Sequence, residues 1–389
     1  MCPSCHKPGR QPGPNTLSGQ RPPDPEKAPP ARLDCCPRAR ATHPGGFDVR
    51  IGVLTGGGDV PGLNAAIRAV VKRAELEYGH SVVGFRNGWK GVCEGLLAPL
   101  TREDVRGILP RGGTMLGTAR FHPHKHDGGI DAVMSTLEAE RVEALVCIGG
   151  DGTLKAASKI ADAGVKVVGI PKTIDNDVEG TDLSIGFHTA INIATEAIDR
   201  LHTTAESHNR VMIVEVMGHT VGWIAVNAGL AGGADLILTP EVPFDIEDVA
   251  AFLKRRHKSH ANFSIVVVAE GAQPAKGTAM DFETPLNERG AIVAGSIGER
   301  LTQEISERTG FDTRLTVLGH VQRGGTPTPT DRILGSRFGV AAVDALSQDK
   351  FGVMTALRGE NIKLVQLKSI AGKVKAVPEE LVEVAQALW

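Results

Sequence analysis

The densest chemistry in this 389-residue chain lies in one short stretch, Pro171-Lys172-Thr173-Ile174-Asp175-Asn176-Asp177. Two carboxylates two residues apart repel each other, and here they stand beside a lysine and a threonine at the end of a β-branched run. Such a pair suits proton transfer: one carboxylate is a general base while the other helps hold a metal or orient the first. A solvated acidic loop is the bland alternative. The position directly after a predicted strand argues against it, because ligands of open α/β sheets gather at strand carboxyl ends.

A second stretch, Gly149-Gly150-Asp151-Gly152-Thr153, follows the apolar run 144–148 and opens a helical pattern. Glycine-rich backbone at a helix N-terminus offers N–H groups to the phosphates of a nucleotide, with Asp151 placed to hold Mg²⁺ directly or through water. The structural alternative makes Asp151 a helix cap. A third, Thr55-Gly56-Gly57-Gly58-Asp59-Val60-Pro61-Gly62, turns from strand to helix in the same way. Its glycine spacing is not the dinucleotide fingerprint, and no ribose-binding acid follows the next strand. A tight turn without a ligand is the alternative there.

These stretches need elements to position them. Short β-branched runs predict strands over 51–54, 82–85, 144–148, 165–170, 211–216, 236–238, 265–269 and 315–318. Helical patterns fall over 62–78, 152–163, 189–207, 221–231, 246–257, 289–308 and 330–346. Strands alternating with helices of ten or more residues imply parallel sheets covered on both faces. The strands outnumber those of one tidy sheet. The expectation is therefore an α/β fold of two doubly wound, mostly parallel-sheet subdomains, with the active site in the cleft between them.

Composition narrows the class. With 41% hydrophobic and 23% charged residues the chain is not globally disordered, and a net charge of −2 leaves no basic footprint for nucleic acid or anionic lipid. Forty-seven glycines against 15 aromatics fit many strand-to-helix turns. No apolar run approaches the roughly 18 residues of a membrane helix, so a soluble, cytoplasmic protein is expected. Residues 1–47 differ from the rest, holding 11 of the 23 prolines and four of the six cysteines. They read as a disordered tail ahead of a catalytic region over 48–389. Cys2-x-x-Cys5 and Cys35-Cys36 have partial zinc-site spacing, but adjacent cysteines chelate one tetrahedral ion poorly. Translation beginning near Val49 is the other reading of that tail.

Taken with Gly319-His320-Val321-Gln322-Arg323-Gly324-Gly325, these motifs resemble the 6-phosphofructokinase family in content and order over about residues 50–360. The resemblance implies ATP-dependent phosphorylation of the 1-hydroxyl of fructose 6-phosphate, with Asp175 as the base and Thr173 and Asp177 beside it. Asp151 would bind the nucleotide's Mg²⁺. Gly58, Arg120, Phe121, Gly150, Gly152 and Thr153 match the nucleotide site, and Arg120 also stabilises the transferring group. The sugar-phosphate site would draw on Thr173, Ile174, Met217, Gly218, His219, Glu270, His320, Val321, Gln322 and Arg323. Arg210 and Arg314 would reach it from a neighbouring subunit of a tetramer or dimer. Guanidinium groups suit phosphate because they pair with it bidentately.

Three departures mark this chain. Gly152 leaves room for a nucleotide α-phosphate where a carboxylate would crowd it, whereas Lys172 belongs to the family's pyrophosphate-dependent pattern. The steric argument favours ATP, since an added cation excludes nothing. After strand 211–216 the family reads Met-Gly-Arg and this chain Met217-Gly218-His219, losing a guanidinium fork and gaining a group that titrates near neutrality. The family's effector-binding basic set is incomplete: Arg68 and Lys72 remain, His202 replaces an arginine, and 259–262 carry no basic pair. The cluster His122-Pro-His124-Lys-His126 reads as a solvated loop. Two alternatives stay open at this stage: a pyrophosphate-dependent phosphotransferase, and a catalytically weak sugar-phosphate-binding regulatory subunit.

Overall fold

Eleven strands build two sheets in the computed structural model, which describes residues 49–259, 262–280, 282–287 and 292–387. In chain order they are β1 (Arg50–Thr55), β2 (Ser81–Phe85), β3 (Leu97–Leu100), β4 (Ala144–Gly149), β5 (Lys166–Pro171), β6 (Val211–Val216), β7 (Leu236–Leu238), β8 (Ser264–Ala269), β9 (Thr313–Val317), β10 (Val353–Arg358) and β11 (Asn361–Gln366). The first sheet runs β11-β10-β5-β4-β1-β2-β3 and the second β7-β8-β6-β9. All pairings are parallel except the two edge pairs of the first sheet, β2 with β3 and β10 with β11. The mostly parallel α/β expectation holds, with seven strands and four.

The helices are α1 (Leu63–Arg73), α2 (Gly88–Cys93), α3 (Gly129–Ala139), α4 (Asp151–Asp162), α5 (Phe187–His208) and α6 (Trp223–Ala231). Then follow α7 (Ile246–Lys258), α8 (Ser296–Thr309), α9 (Pro329–Ser347), α10 (Leu367–Ile370) and α11 (Glu379–Gln386). Helices cover both faces of each sheet, which is why β4, β6 and β8 are buried along their whole length and read as unbroken apolar runs. One core, from Ile51 and Val146 through Val214 and Val267, is continuous across both sheets. Each sheet also has an outer cluster of its own.

Several features differ from the sequence reading, which names no helix at α2, α3, α10 or α11. The helix expected over 289–308 begins at Ser296, where Gly295 sits in the left-handed region at φ 89 and ends the preceding loop; residues 289–291 lie outside the described residues. Strands β3, β10 and β11 were not predicted. β3 and β11 close the first sheet at its edges and β10 lies between β11 and β5; β3 is only four residues with a proline, and β11 mixes exposed with half-buried positions. The expected 1–47 tail and its cysteines lie outside the described residues. No helix among the described residues is long and apolar enough to cross a membrane.

The order of strands places the site. β1, β4 and β5 are adjacent and parallel, so the loops after them emerge side by side. In the second sheet β8, β6 and β9 are likewise adjacent and parallel, and the segments after them form the facing edge.

Candidate active site

The loop after β5 carries the centre of the site. Asp175 is 8% exposed; its Oδ2 accepts from Thr173 Oγ1 at 3.1 Å, and its own N–H donates to that hydroxyl at 3.1 Å. Its Oδ1 is buried with no partner among the described residues. A buried acceptor left open in this way forfeits solvation. Ile174 is fully buried beneath it, and Asn176 ties the loop to itself, donating to Asp182 O at 3.2 Å while accepting from Ser184 N at 3.0 Å.

Charge converges on Asp175, the common electrostatic neighbour of Lys172, Asp177 and Glu270. Burial pushes Asp177 well above the usual carboxylate range, with Asp175 and Asp151 adding to the effect and Lys375 opposing it. Lys172 is 2% exposed and donates to Gly58 O at 2.5 Å. Burial, then the neighbouring Arg323, lowers its pKa to about 7 against the pull of Asp175, Asp59 and Asp177.

Gly150 precedes α4 in extended conformation, and Asp151 opens the helix without capping it. The Asp151 Oδ1 instead accepts from Gly372 N at 2.8 Å, far along the chain. Thr153 is buried, with its N–H on Gly150 O and its side chain wedged against Gly56 and Gly149, so it shapes the turn rather than facing the cleft. A Cβ at Gly152 would stand 2.7 Å from His122 Cε1 and 3.1 Å from its Nε2. A side chain there would therefore displace that ring.

The 122–126 segment is only in part the solvated loop expected from its histidines, with Lys125 and His126 exposed. His122 and His124 are half-buried and each has a buried Nδ1 without a partner among the described residues. Burial lowers both pKa values. Phe121 stacks on His126 with centroids 4.4 Å apart, and Arg120 is exposed beside them.

At the facing edge, Glu270 follows β8. It accepts from Gly218 N at 3.3 Å and His219 N at 2.9 Å, and burial raises its pKa to about 7. His219 is exposed, with φ 55. What fixes Glu270 is thus the peptide N–H at 219, which any residue but proline supplies; the arginine-to-histidine departure leaves that support intact. Met217 is half-buried beside it. The 3₁₀ turn Gly319–Arg323 exposes His320 and Val321 and buries Gln322, whose Nε2 donates to Gly319 O at 3.2 Å. Arg323 crosses the cleft: its Nη1 lies 2.6 Å from where a Cβ at Gly58 would stand, so only glycine fits there without moving the guanidinium.

Arg210 and Arg314 are not part of this constellation. They lie at the amino ends of β6 and β9, where Val211 pairs with Thr313 and Met212 with Arg314, and both hold Asp312, at 2.5 and 2.7 Å. His202 is also engaged, its Nε2 2.7 Å from Gly232 O.

The sequence reading missed two contributors. Asp59 faces Lys172 from the β1 loop, and Lys375 faces Asp177 from the C-terminal segment. Asp59 stood inside a singled-out motif and could have been found there. Lys375 lies in no motif.

Glycine-rich strand ends facing a buried carboxylate, with a second parallel sheet supplying carboxylate and guanidinium across the cleft, are the layout of an α/β phosphotransferase. The family model for phosphofructokinase matches residues 50–346, and the chain belongs to the phosphofructokinase family. It is 50% identical over 342 residues to an ATP-dependent 6-phosphofructokinase of Corynebacterium efficiens, covering 88% of this chain and 99% of that one. It is 52% identical over 342 residues to a pyrophosphate–fructose 6-phosphate 1-phosphotransferase of Amycolatopsis methanolica, covering 88% and 100%. Among solved structures, a Pichia pastoris phosphofructokinase in the T-state superposes with a TM-score of 0.74 at 31% identity, over 89% of this chain and 37% of that longer one. A pyrophosphate-dependent phosphofructokinase from Marinobacter aquaeolei, 22% identical with a TM-score of 0.73 over 87% of this chain and 91% of its own, shares the fold.

Proposed function

We propose that this protein is an ATP-dependent 6-phosphofructokinase, a kinase of glycolysis acting in the cytoplasm. The observation that carries the reading is the open, buried Oδ1 of Asp175, at the point where the strand ends of both sheets meet. Asp175 accepts the proton of the sugar 1-hydroxyl as that oxygen bonds to the γ-phosphorus of ATP; the bond to the β-phosphate oxygen breaks and ADP leaves. Thr173 holds Asp175 in place, and Asp177 shares its pocket. Glu270, fixed by two peptide N–H groups, accepts from sugar hydroxyls, with Met217, His219 and the 320–323 turn lining the sugar-phosphate side.

On the donor side Gly58, Gly150 and Gly152 let backbone approach the phosphates, Phe121 and Arg120 flank the nucleotide, and Arg323 and Lys172 bring positive charge to the β1 loop. Asp151 suits Mg²⁺: it offers a hard carboxylate of which Gly372 takes Oδ1, and no hydrogen bond among the described residues takes Oδ2. That ion uses one or two carboxylates plus substrate phosphates and water. When bound, it neutralises phosphate charge. Positioning and charge neutralisation supply most of the rate in such reactions.

Arg210 and Arg314 sit a strand length, about 20 Å, from the Glu270 end of the second sheet. Their service to phosphate is therefore to a neighbouring subunit, in a dimer or tetramer. A pyrophosphate-dependent enzyme is the second reading, favoured by Lys172 and by relatives bearing that name. Against it, Lys172 is already bonded to Gly58 and buried, while Gly152 leaves the α-phosphate path open to the His122 ring. Initial rates with fructose 6-phosphate and Mg²⁺ separate the readings. Turnover with ATP alone, lost in Asp175→Asn, is expected; turnover with pyrophosphate alone overturns the donor assignment. Sugar-phosphate binding without turnover by either donor makes the chain a regulatory subunit.

A further inference from the structure

The C-terminal segment after α10 lies beyond the 50–346 stretch matched by the family, yet it runs through the site. Within six residues it touches four separate parts of the molecule. Gly372 N donates to the Asp151 carboxylate at 2.8 Å. Val374 bridges antiparallel to Val178, and Lys375 N donates to Asp177 O at 2.9 Å. The Lys375 ammonium donates to Thr181 O at 2.8 Å and Asp182 O at 2.9 Å, and lies 4.9 Å from the centroid of the Trp223 ring. Trp223 Nε1, on α6 of the second sheet's layer, donates back to Lys375 O at 2.9 Å. Two residues on, Val377 N donates to Glu241 Oε1, which also takes Gly222 N just before α6.

A lysine in this place is not explained by packing. Its ammonium is half-buried against two carbonyls and an indole. Burial lowers its pKa to about 8, with Asp182, Asp177 and Glu179 opposing and Arg358 assisting. What the arrangement achieves is a brace. The loop after β5 leaves the sheet at Lys172, carries Thr173, Asp175 and Asp177 through the site, and returns along 177–182. Asn176 ties its two limbs together from inside. Lys375 grips the returning limb from outside, at both its main chain and its ammonium.

The geometry points to Lys375 as a positioning residue for phosphoryl transfer, holding the Asp175–Asp177 loop in register with the second sheet through Trp223. This role rests on the phosphofructokinase reading for its kinetic consequence, though not for its structural one. Displacement of a base by about 1 Å costs up to about a hundredfold in rate. The loss is expected on the chemical step, because Lys375 bonds main-chain carbonyls of the loop and none of the side chains assigned to sugar or nucleotide.

The test uses the full-length protein and compares Lys375→Met, Lys375→Arg and, as a matched surface control, Lys373→Met. Lys375→Met should lower kcat by about 30-fold with KM for ATP and fructose 6-phosphate within about twofold. Lys375→Arg, which keeps the charge and two donors, should recover most of that loss, and Lys373→Met should match the wild type. Amide hydrogen exchange in the 176–184 peptide should quicken by about tenfold in Lys375→Met alone. Unchanged kcat and exchange in Lys375→Met overturn the proposal. So does an equal loss in KM and kcat that arginine fails to rescue. If the wild type turns over neither donor, the kinase reading fails and the exchange result alone decides the role of Lys375.

Discussion

Asp175 and Asp312 each anchor a charged cluster, and the two are built on opposite terms. Asp175 is buried, shares its surroundings with two other carboxylates and a buried lysine, and keeps one oxygen open. Asp312 is exposed and fully engaged, with Arg210 and Arg314 on separate oxygens; the Arg210 hydrogen bond holds its carboxyl below the usual range. Buried groups of the first kind are set by the fold before any ligand arrives, so they suit a reaction that must find its base in place. Surface ion pairs of the second kind contribute little and rearrange readily. They suit arginines that have to let go of one anion and take another.

The largest test of this contrast is Asp175→Asn, which should cut kcat by about a thousandfold in steady-state assays while leaving the circular dichroism spectrum unchanged. A loss below about tenfold would remove Asp175 from the role of base. Arg314→Ser should raise KM for fructose 6-phosphate by about 30-fold with kcat little altered. Mixing it with Asp175→Asn protein under conditions of subunit exchange should restore part of the activity, because one site then has both residues intact; no recovery in any mixture would place Arg314 at its own chain's site.

Glu270 gives a pH-dependent effect of intermediate size. Its folded-state pKa of about 7 lies above the ordinary ~4.3 of an unfolded glutamate, so the folded state holds the proton more tightly. The associated stability is complete below pH ~4.3 and is lost as pH rises through about 7. Glu270→Gln keeps a carbonyl for Gly218 and His219 and abolishes the titration. The melting temperature of the variant should therefore gain on the wild type between pH 5 and 8. A constant difference across that range would contradict the burial argument. The smallest effect belongs to Asp312→Ala, which releases both arginines: KM should change by less than about threefold and the melting temperature not at all.

Much of the first cluster was legible because its residues are local. Lys172 to Asp177 sit at one strand end, and the β-branched run that predicts β5 also predicts where its loop begins. The second sheet's contributions, after β6, β8 and β9, were reached only through the family resemblance. Neither the sequence spacing nor composition showed how Arg323 would reach Gly58, since that depends on how the two sheets face. Lys375 was invisible for a stronger reason: its partners at 177–182 are almost two hundred residues away, and a lysine after Lys373-Val374 carries no periodic signal. β10, an interior strand buried at all but its last residue, and the edge strand β11, with its irregular mix of exposed and half-buried positions, were missed because they lie past the last motif. The histidines after Phe121 read from pattern as solvent-facing, whereas Pro123 packs its main chain against Gly129 and two imidazole nitrogens, His122 Nδ1 and His124 Nδ1, are buried.

The return of β10 to pair with β5, after the chain has completed the whole second sheet, bears on how the molecule is made. On a ribosome adding ~5–20 residues per second, Val353 follows Pro171 by roughly ten to forty seconds. Throughout that interval β5, apolar and fully formed in sequence, is an open sheet edge able to pair with another nascent chain. The strand that bears the Asp175 loop is thus the one left longest without its neighbour, and polysomes crowded with this message are where mispairing would begin.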